Sequence, residues 1–430
     1  ARTGKGVKEV RGIVWWEKNR DGKITIFIEG GLLDFLKRED FVRGVKKDKT
    51  ATGGVVGGWL TTDAWVEGEN VSAKTTSLFQ AALYKASGFK KMNAENRGTV
   101  TWAGFKVYYH ASDKELYDRY RGIADRSREA VQKNSDKLEE AKSAVKALVD
   151  RLLAEGRLSV SEAAGMSAEE AAERARKAAD DVLSIEAAEK IDPAEHSAYG
   201  RVYYPLVDLL LRDVSEVEFA QFFTTAVFGD GTINPYYVEL ALGKFKPRGE
   251  TLPYDRFHKL ALWLAVLEKY RPVFEKYGVD ITPRVHVRKD AIRLRFVPKA
   301  AGLLFALGGG PVWRVYGEYL REVGRNLWDA GFIKAERMLE TVREAFKDVK
   351  IRWHIDEAGE KPVLRMRFVK EVGEREVEIA NLNVYVIEQL GGRTLHAVFN
   401  GARERAEALA SMLRAWGAEA EARPSGEGWS

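Results

Sequence analysis

The chain has 430 residues, of which 45% are hydrophobic and 31% charged, with a formal net charge of +5 at pH 7. That length implies two or three domains, and that composition excludes a disordered chain. The lack of cysteine excludes disulfides, thiolate zinc sites and cysteine nucleophiles.

No run of about 18 apolar residues is present, so no membrane span is expected, and with no apolar signal core the cytoplasm is the expected compartment. Glutamine is confined to Gln80, Gln132, Gln221 and Gln389 while Glu, Lys and Arg abound, the bias of a hyperthermophile. A modest net charge means that an anionic partner must be met by a local patch.

Taken in chain order, residues 1–111 predict an N-terminal α+β module of order β-β-α-β-β. "GIVWWEKNRDGKITIFIEG" carries two apolar runs around a turn at Asn19 to Gly22, and "TVTWAGFKVYYHA" repeats the arrangement around Ala103-Gly104. Between them "TTSLFQAALYKASGF" reads as a helix stopped by Gly88. Residues 112–192 turn helical. Ser112 and Glu115 have capping-box spacing, as do Ser167 and Glu170. Leu138, Ala141, Val145, Leu148 and Leu152 form one apolar seam, and Ala171, Ala175, Ala178, Val182 and Ile185 another. These predict an antiparallel helical hairpin, read as an exposed arm or spacer, or alternatively as a dimerisation arm. Residues 199–424 predict a third α+β domain: helix, strand, a long helix from Tyr254 to Tyr277, two strands, helices from Ala300 to Phe346, three strands, and a helix from Asn400 to Trp416. The tail "RPSGEGWS" reads as loose.

In this last part "AVFGDGTI" sets Asp230 between Gly229 and Gly231. Ser215 and Glu218 start the helix, and Phe219, Phe222, Phe223, Ala226 and Val227 give it an apolar face. The glycines allow a left-handed stop with the carboxylate projecting from the last turn. A carboxylate at a helix C-terminus is unfavourable unless a cation compensates it, and Mg2+ suits the position. Asp-Gly is also a common turn dipeptide.

"FTTAVFGDG", Phe223 to Gly231, resembles the helix motif of the LAGLIDADG homing endonucleases. "INPYYVELALG", "FHKLALWLAVLEKY" and "PRVHVRKDAIRLRFV" follow in the order of that family's αββαββα half-domain, although only one strand of the first pair is evident. The chain is also similar to the paralogous repeat proteins of crenarchaea. The first resemblance implies a saddle-shaped sheet on double-stranded DNA, paired motif helices, and a metal-binding acid from each. It makes Asp230 and Gly229 the candidate metal ligands, Mg2+ the expected ion, and Lys289 a second catalytic candidate that stabilises charge on the scissile phosphate. "GLLFALGGG", Gly302 to Gly310, is the expected partner helix, with Gly309 where Asp230 stands, so one acid is missing unless two chains meet as a homodimer. Thr225 occupies the position of a close-contact glycine.

The strands that follow are basic. Arg284, His286 and Arg288 alternate with Val285 and Val287, and Arg293 and Arg295 with Ile292, Leu294 and Phe296, so one hairpin face collects the cations. Lys244, Lys246 and Arg248 extend it. Arg352 and then Arg365 and Arg367 repeat the pattern, with Glu376 and Glu378 as possible cross-strand partners. These are the candidate DNA-binding residues. No small-molecule cofactor is expected: "ALGGGP" lacks the Lys-Ser/Thr of a phosphate loop and "GGVVGGW" lacks a dinucleotide context. Three functions remain open: a metal-dependent DNA endonuclease, a non-catalytic DNA-binding protein of the same fold, and a structural protein assembling through its arm.

Overall fold

The computed structural model describes residues 14–18, 24–28, 39–101, 104–191, 198–243, 255–327, 329–356, 363–389 and 392–398, with 406, 410, 424–425 and 428–429. The α+β class is as expected.

Strands Val14–Lys18 (β1) and Ile24–Ile28 (β2) pair with each other, and helix Glu39–Gly44 (α1) follows. Seven elements then form a unit: Gly53–Leu60 (α2), Ala64–Glu67 (β3), Asn70–Thr75 (β4), Leu78–Ser87 (α3), Lys91–Thr101 (β5), Gly104–Asp113 (β6) and Lys114–Lys133 (α4). An insertion comprises Ser135–Ala154 (α5), Leu158–Val160 (β7), Ala168–Val182 (α6), Ile185–Glu189 (α7) and Ala198–Leu211 (α8). A second unit repeats the first: Glu216–Asp230 (α9), Gly231–Ile233 (β8), Val238–Leu242 (β9), Arg256–Glu275 (α10), Arg284–Val287 (β10), Ile292–Phe296 (β11) and Pro298–Gly308 (α11). Gly310–Glu322 (α12), Ala330–Ala345 (α13) and the sheet of Val349–Asp356 (β12), Val363–Val372 (β13), Arg375–Gln389 (β14) and Gly392–Val398 (β15) complete it.

The two units share one topology, αββαββα. Their sheets run β3-β4-β6-β5 and β8-β9-β11-β10, the same order, with β7 added parallel to the outer edge of the second. The second unit is the half-domain read from the sequence; the first was hidden. Its β3 and β4 were not anticipated, and β1 and β2, expected in the module's sheet, stand apart as their own ladder. The missing strand of the second unit is β8, only three residues long. Asn234 makes the turn that follows it, its Oδ1 accepting from Tyr236 N at 2.9 Å and Tyr237 N at 3.0 Å.

The caps follow the sequence in most places. Ser77, Ser167 and Ser215 accept from the backbone N–H three residues on, and Gly88 closes α3 with φ +114°. At α4 the cap is Asp113, which accepts from Leu116 N at 3.1 Å, rather than Ser112. Aspartate is an equally strong capping residue, and Ser112 is held in β6.

The three segments 1–111, 112–192 and 199–424 meet in one continuous core. The helical hairpin is not an exposed arm. Leu138, Val145, Leu148, Leu152, Ala171, Ala175 and Val182 are buried, and α5 and α6 pack on α10. The last sheet has four strands where three were expected, and the tail forms a ladder between Pro424–Ser425 and Gly428–Trp429. The expected helix from Asn400 to Trp416 lies almost wholly outside the described residues, with 406 and 410 helical.

At the middle of the molecule α2 and α9 lie side by side in the same direction. A Cβ on Gly54 would stand 2.1 Å from Glu218 O, and one on Gly58 2.0 Å from Thr225 Oγ1 and 2.4 Å from Phe222 O. Only glycine lets the backbones meet there. The close-contact glycine missing at Thr225 is therefore supplied by the opposite helix, and Thr225 Oγ1 donates to Val55 O at 3.1 Å.

Candidate two-carboxylate centre and basic sheet

Because α2 and α9 run together, they end together. A Cβ on Gly229 would lie 2.3 Å from Thr62 Oγ1 and 3.4 Å from Asp63 Cγ. Asp63, three residues past α2, thus flanks Asp230, the last residue of α9. Gly231 follows in extended backbone, φ −94° and ψ 160°, so the left-handed stop expected from the two glycines does not occur. The chain turns straight into β8.

Asp63 is half-buried and Asp230 exposed. Gln80 Nε2 donates to Asp63 Oδ2 at 2.6 Å, and Thr75 Oγ1 holds the other end of that amide at 2.8 Å. Burial, and then the charge of Asp230, push the Asp63 carboxyl above its ordinary range; the Gln80 hydrogen bond opposes them. Two acids and two helix C-termini concentrate negative charge here, and three cations answer it, Lys259 buried and Lys334 and Arg201 half-buried. Lys334 of α13 donates to Phe228 O at 2.7 Å and Gly229 O at 3.2 Å. Lys259 of α10 donates to Thr61 O at 2.6 Å. Arg201 reaches Leu60 O at 3.0 Å and also Ala64 O. Burial lowers both lysines to about 8, against the pull of Asp230 on each and of Asp63 on Lys334.

The helix whose end meets that of α9 is therefore α2 of the same chain, and it brings Asp63 beside Asp230. The stretch from Gly302 to Gly310 is not that helix. A Cβ on Gly308 would stand 2.1 Å from Ala220 O, ten residues before Asp230, or about 15 Å along the helix. Gly309 packs against its own Trp313. The two acids need no second copy of the chain to come together.

The basic hairpin has the expected faces. Val285, Val287, Ile292, Leu294 and Phe296 are buried, while Arg284 lies opposite Arg295 and His286 opposite Arg293. Its charge is partly spent within the protein. Glu239, opposite Arg295 on β9, accepts from Arg293 Nη1 and Arg295 Nε at 2.6 Å each, and Asp290 takes Arg293 Nη2 at 3.1 Å. His286 Nδ1 lies 2.7 Å from Ser159 Oγ of β7; burial, then Arg288 and Arg295, lower its pKa. Among the described residues Arg284, Arg288 and Lys289 form no ion pair. Lys289 is exposed at the hairpin turn, where its carbonyl accepts from Arg256. On the last sheet Arg352 pairs with Glu376 at 2.6 Å, Arg365 with Asp356 at 2.5 Å and Arg367 with Glu378 at 2.7 Å. Two of those pairs use the expected cross-strand glutamates, whereas the partner of Arg365 is Asp356, which was not expected. Lys244, Lys246 and Arg248 lie outside the described residues.

Asp63, Gln80, Lys259 and Lys334 went unread. "GGVVGGWLTTDA" did carry a signal: glycines at steps of one and four on a short apolar run, ending in an acid, mirror "FTTAVFGDG". The lysines had none, since each is isolated in its helix.

Residues 314–430 match the family model described as PaRep2b protein. The match begins inside α12 and includes Lys334. No curated protein and no solved structure matches the chain. Among the described residues no helix is long and apolar enough to cross a membrane, and no group of three or more His, Cys, Asp or Glu could hold a metal ion.

Proposed function

We propose that the protein binds double-stranded DNA along the sheets of its two αββαββα units and cleaves a phosphodiester bond at the Asp63–Asp230 centre, in the manner of the LAGLIDADG homing endonucleases it resembles. The observation that carries this reading is the repeated αββαββα unit whose two central helices end together, with Asp230 as the last residue of one and Asp63 three residues beyond the other. The donors fit a hard divalent ion such as Mg2+: two carboxylates on separate backbones, where burial first and the charge of Asp230 second raise the pKa of Asp63, and a cation would relieve the second cause. Asp63 and Asp230 would hold the ion, which supplies Lewis acidity to the phosphate and an activated water when bound. Gln80 orients Asp63. Lys259 and Lys334 tie the two helix ends in place, and the exposed Arg284 and Lys289, with the half-buried Arg288, offer charge to the DNA backbone. Gly229 is a weaker ligand candidate, because Lys334 already engages its carbonyl.

A second reading, DNA binding without cleavage, is favoured by one observation: Lys259, buried, and Lys334, half-buried, balance the charge of the two acids without any metal. Incubation of supercoiled plasmid with the protein and Mg2+ separates the two readings. Under the first, the native chain nicks or linearises plasmid, and Asp63→Asn and Asp230→Asn each lose activity by about a hundredfold or more. A native chain that binds duplex with a steep salt dependence but leaves plasmid intact selects the second. Cleavage that survives both substitutions removes the centre from the reaction.

A further inference from the structure

Glu239 sits in the middle of the basic face with its side chain 5% exposed, and it treats its two arginines differently. Arg293 is committed to the protein, bonding Glu239 through one η nitrogen and Asp290 through the other. Arg295 gives Glu239 only its Nε, and its guanidinium carbon stands 4.5 Å from the centre of the Tyr237 ring. Among the described residues neither η nitrogen of Arg295 has a partner, although the side chain is 27% exposed. The guanidinium plane is thus fixed by an ion pair on one edge and an aromatic face beneath, with a two-nitrogen edge left over. A freely swinging cation suffices for a phosphate, whereas a fixed planar fork matches a coplanar pair of acceptors.

The register gives that edge its place. Thr232, Glu239, Arg295 and Arg284 form one row across β8, β9, β11 and β10. The row begins two residues after Asp230, and Arg295 stands two strands further on, about 10 Å away at ordinary strand spacing.

We infer that Arg295 reads a guanine, its η edge donating to O6 and N7 in the major groove while Glu239 and Tyr237 act as positioning residues that hold the fork. This rests on the DNA-binding reading above and adds base specificity to it. The test is selection of the full-length chain on a randomised duplex library at fixed salt, followed by competition binding with the enriched site. The native protein is expected to enrich a guanine at one position, and replacing that base with 7-deazaguanine, which lacks N7, to weaken binding by about tenfold. Arg295→Ala and Arg295→Lys are both expected to lose the preference at that position alone and to be indifferent to 7-deazaguanine. Unchanged preference in Arg295→Ala overturns the inference, as does a preference retained by Arg295→Lys, since lysine keeps a phosphate contact but not the fork. Should either variant fail to fold, the 7-deazaguanine comparison on native protein still decides, and no loss there overturns the inference. A native chain that binds duplex tightly but without guanine preference refutes the role of Arg295 and leaves DNA binding standing; one that binds no duplex refutes both.

Discussion

The contact between α2 and α9 can be broken with a single methyl group. At Gly58 an added Cβ meets Thr225 Oγ1 at 2.0 Å, Phe222 O at 2.4 Å and Ala226 N at 3.0 Å. Two of these three are backbone atoms of α9, which can move only by displacing the whole helix. Overpacking of this kind costs roughly 1–3 kcal/mol, and the gain in helix propensity from glycine to alanine returns at most about 1 kcal/mol. Contacts as short as 2.0 and 2.4 Å put the cost at the upper end of that range, so Gly58→Ala is expected to lose about 2 kcal/mol. Gly317, in α12, has nothing within 4 Å of its built Cβ, so Gly317→Ala is expected to gain roughly 0.5–1 kcal/mol by the same propensity term. Adding Thr225→Ala to Gly58→Ala should recover less than half of the loss, because the backbone contacts remain. Urea unfolding followed by tryptophan fluorescence measures all three. A Gly58→Ala midpoint at or above the native value would refute the close helix contact, and with it the adjacency of Asp63 and Asp230.

Other expected outcomes follow from the same structure. Burial holds Lys259 at about 8, against 10.5 when unfolded, a gap corresponding to about 3 kcal/mol. The folded pKa is the lower one, so the penalty is full below pH 8 and is relieved as pH rises from 8 to 10.5; native protein should therefore gain stability relative to Lys259→Met across that window in pH-dependent urea unfolding. Asp329 is buried and accepts from Phe79 N at 2.9 Å, Gly331 N at 3.0 Å and Tyr319 OH at 2.9 Å, as well as from Ser77 Oγ, so that it ties the starts of α3 and α13 together. Asp329→Ala is expected to cost about 3 kcal/mol or more by orphaning buried donors, measured by the same unfolding assay. Arg284→Glu with Arg288→Glu should lower the slope of log K against log salt for duplex binding by about 2.

The second αββαββα unit was legible because its signals are local: Ser215 and Glu218 at the helix start, apolar spacing through Val227, and strict alternation in Arg284–Phe296. The first unit was not, although its topology is the same. Four glycines in eight residues give α2 poor intrinsic propensity, and the helix exists because tertiary contact with α9 requires those glycines. Reading "GGVVGGW" by propensity alone gives a loop. The carboxylate that follows α2 is hidden with it, and "GLLFALGGG" looks like the better partner only because its glycines are close-packed for other contacts, Gly302 on α13 and Gly308 on α9. The arm looked exposed because an apolar seam states that a face is covered without stating by what; here α10 covers it. Alternation in the basic hairpin shows which side chains share a face, but not that Glu239 and Asp290 take up part of the charge. Glu239 occupies an alternating position in an apolar strand, and only the register of β9 with β11 brings it onto two arginines.

The most direct measurement of the two-acid centre is a titration with Mn2+, a spectroscopically visible stand-in for Mg2+, of the native chain, Asp63→Asn, Asp230→Asn and the double variant. A single shared site is expected to show one strong binding event in the native protein, lost to a similar degree in each single variant, with no further loss in the double. Binding that survives Asp63→Asn, or losses that simply add in the double variant, would mean that the two carboxylates do not serve one ion.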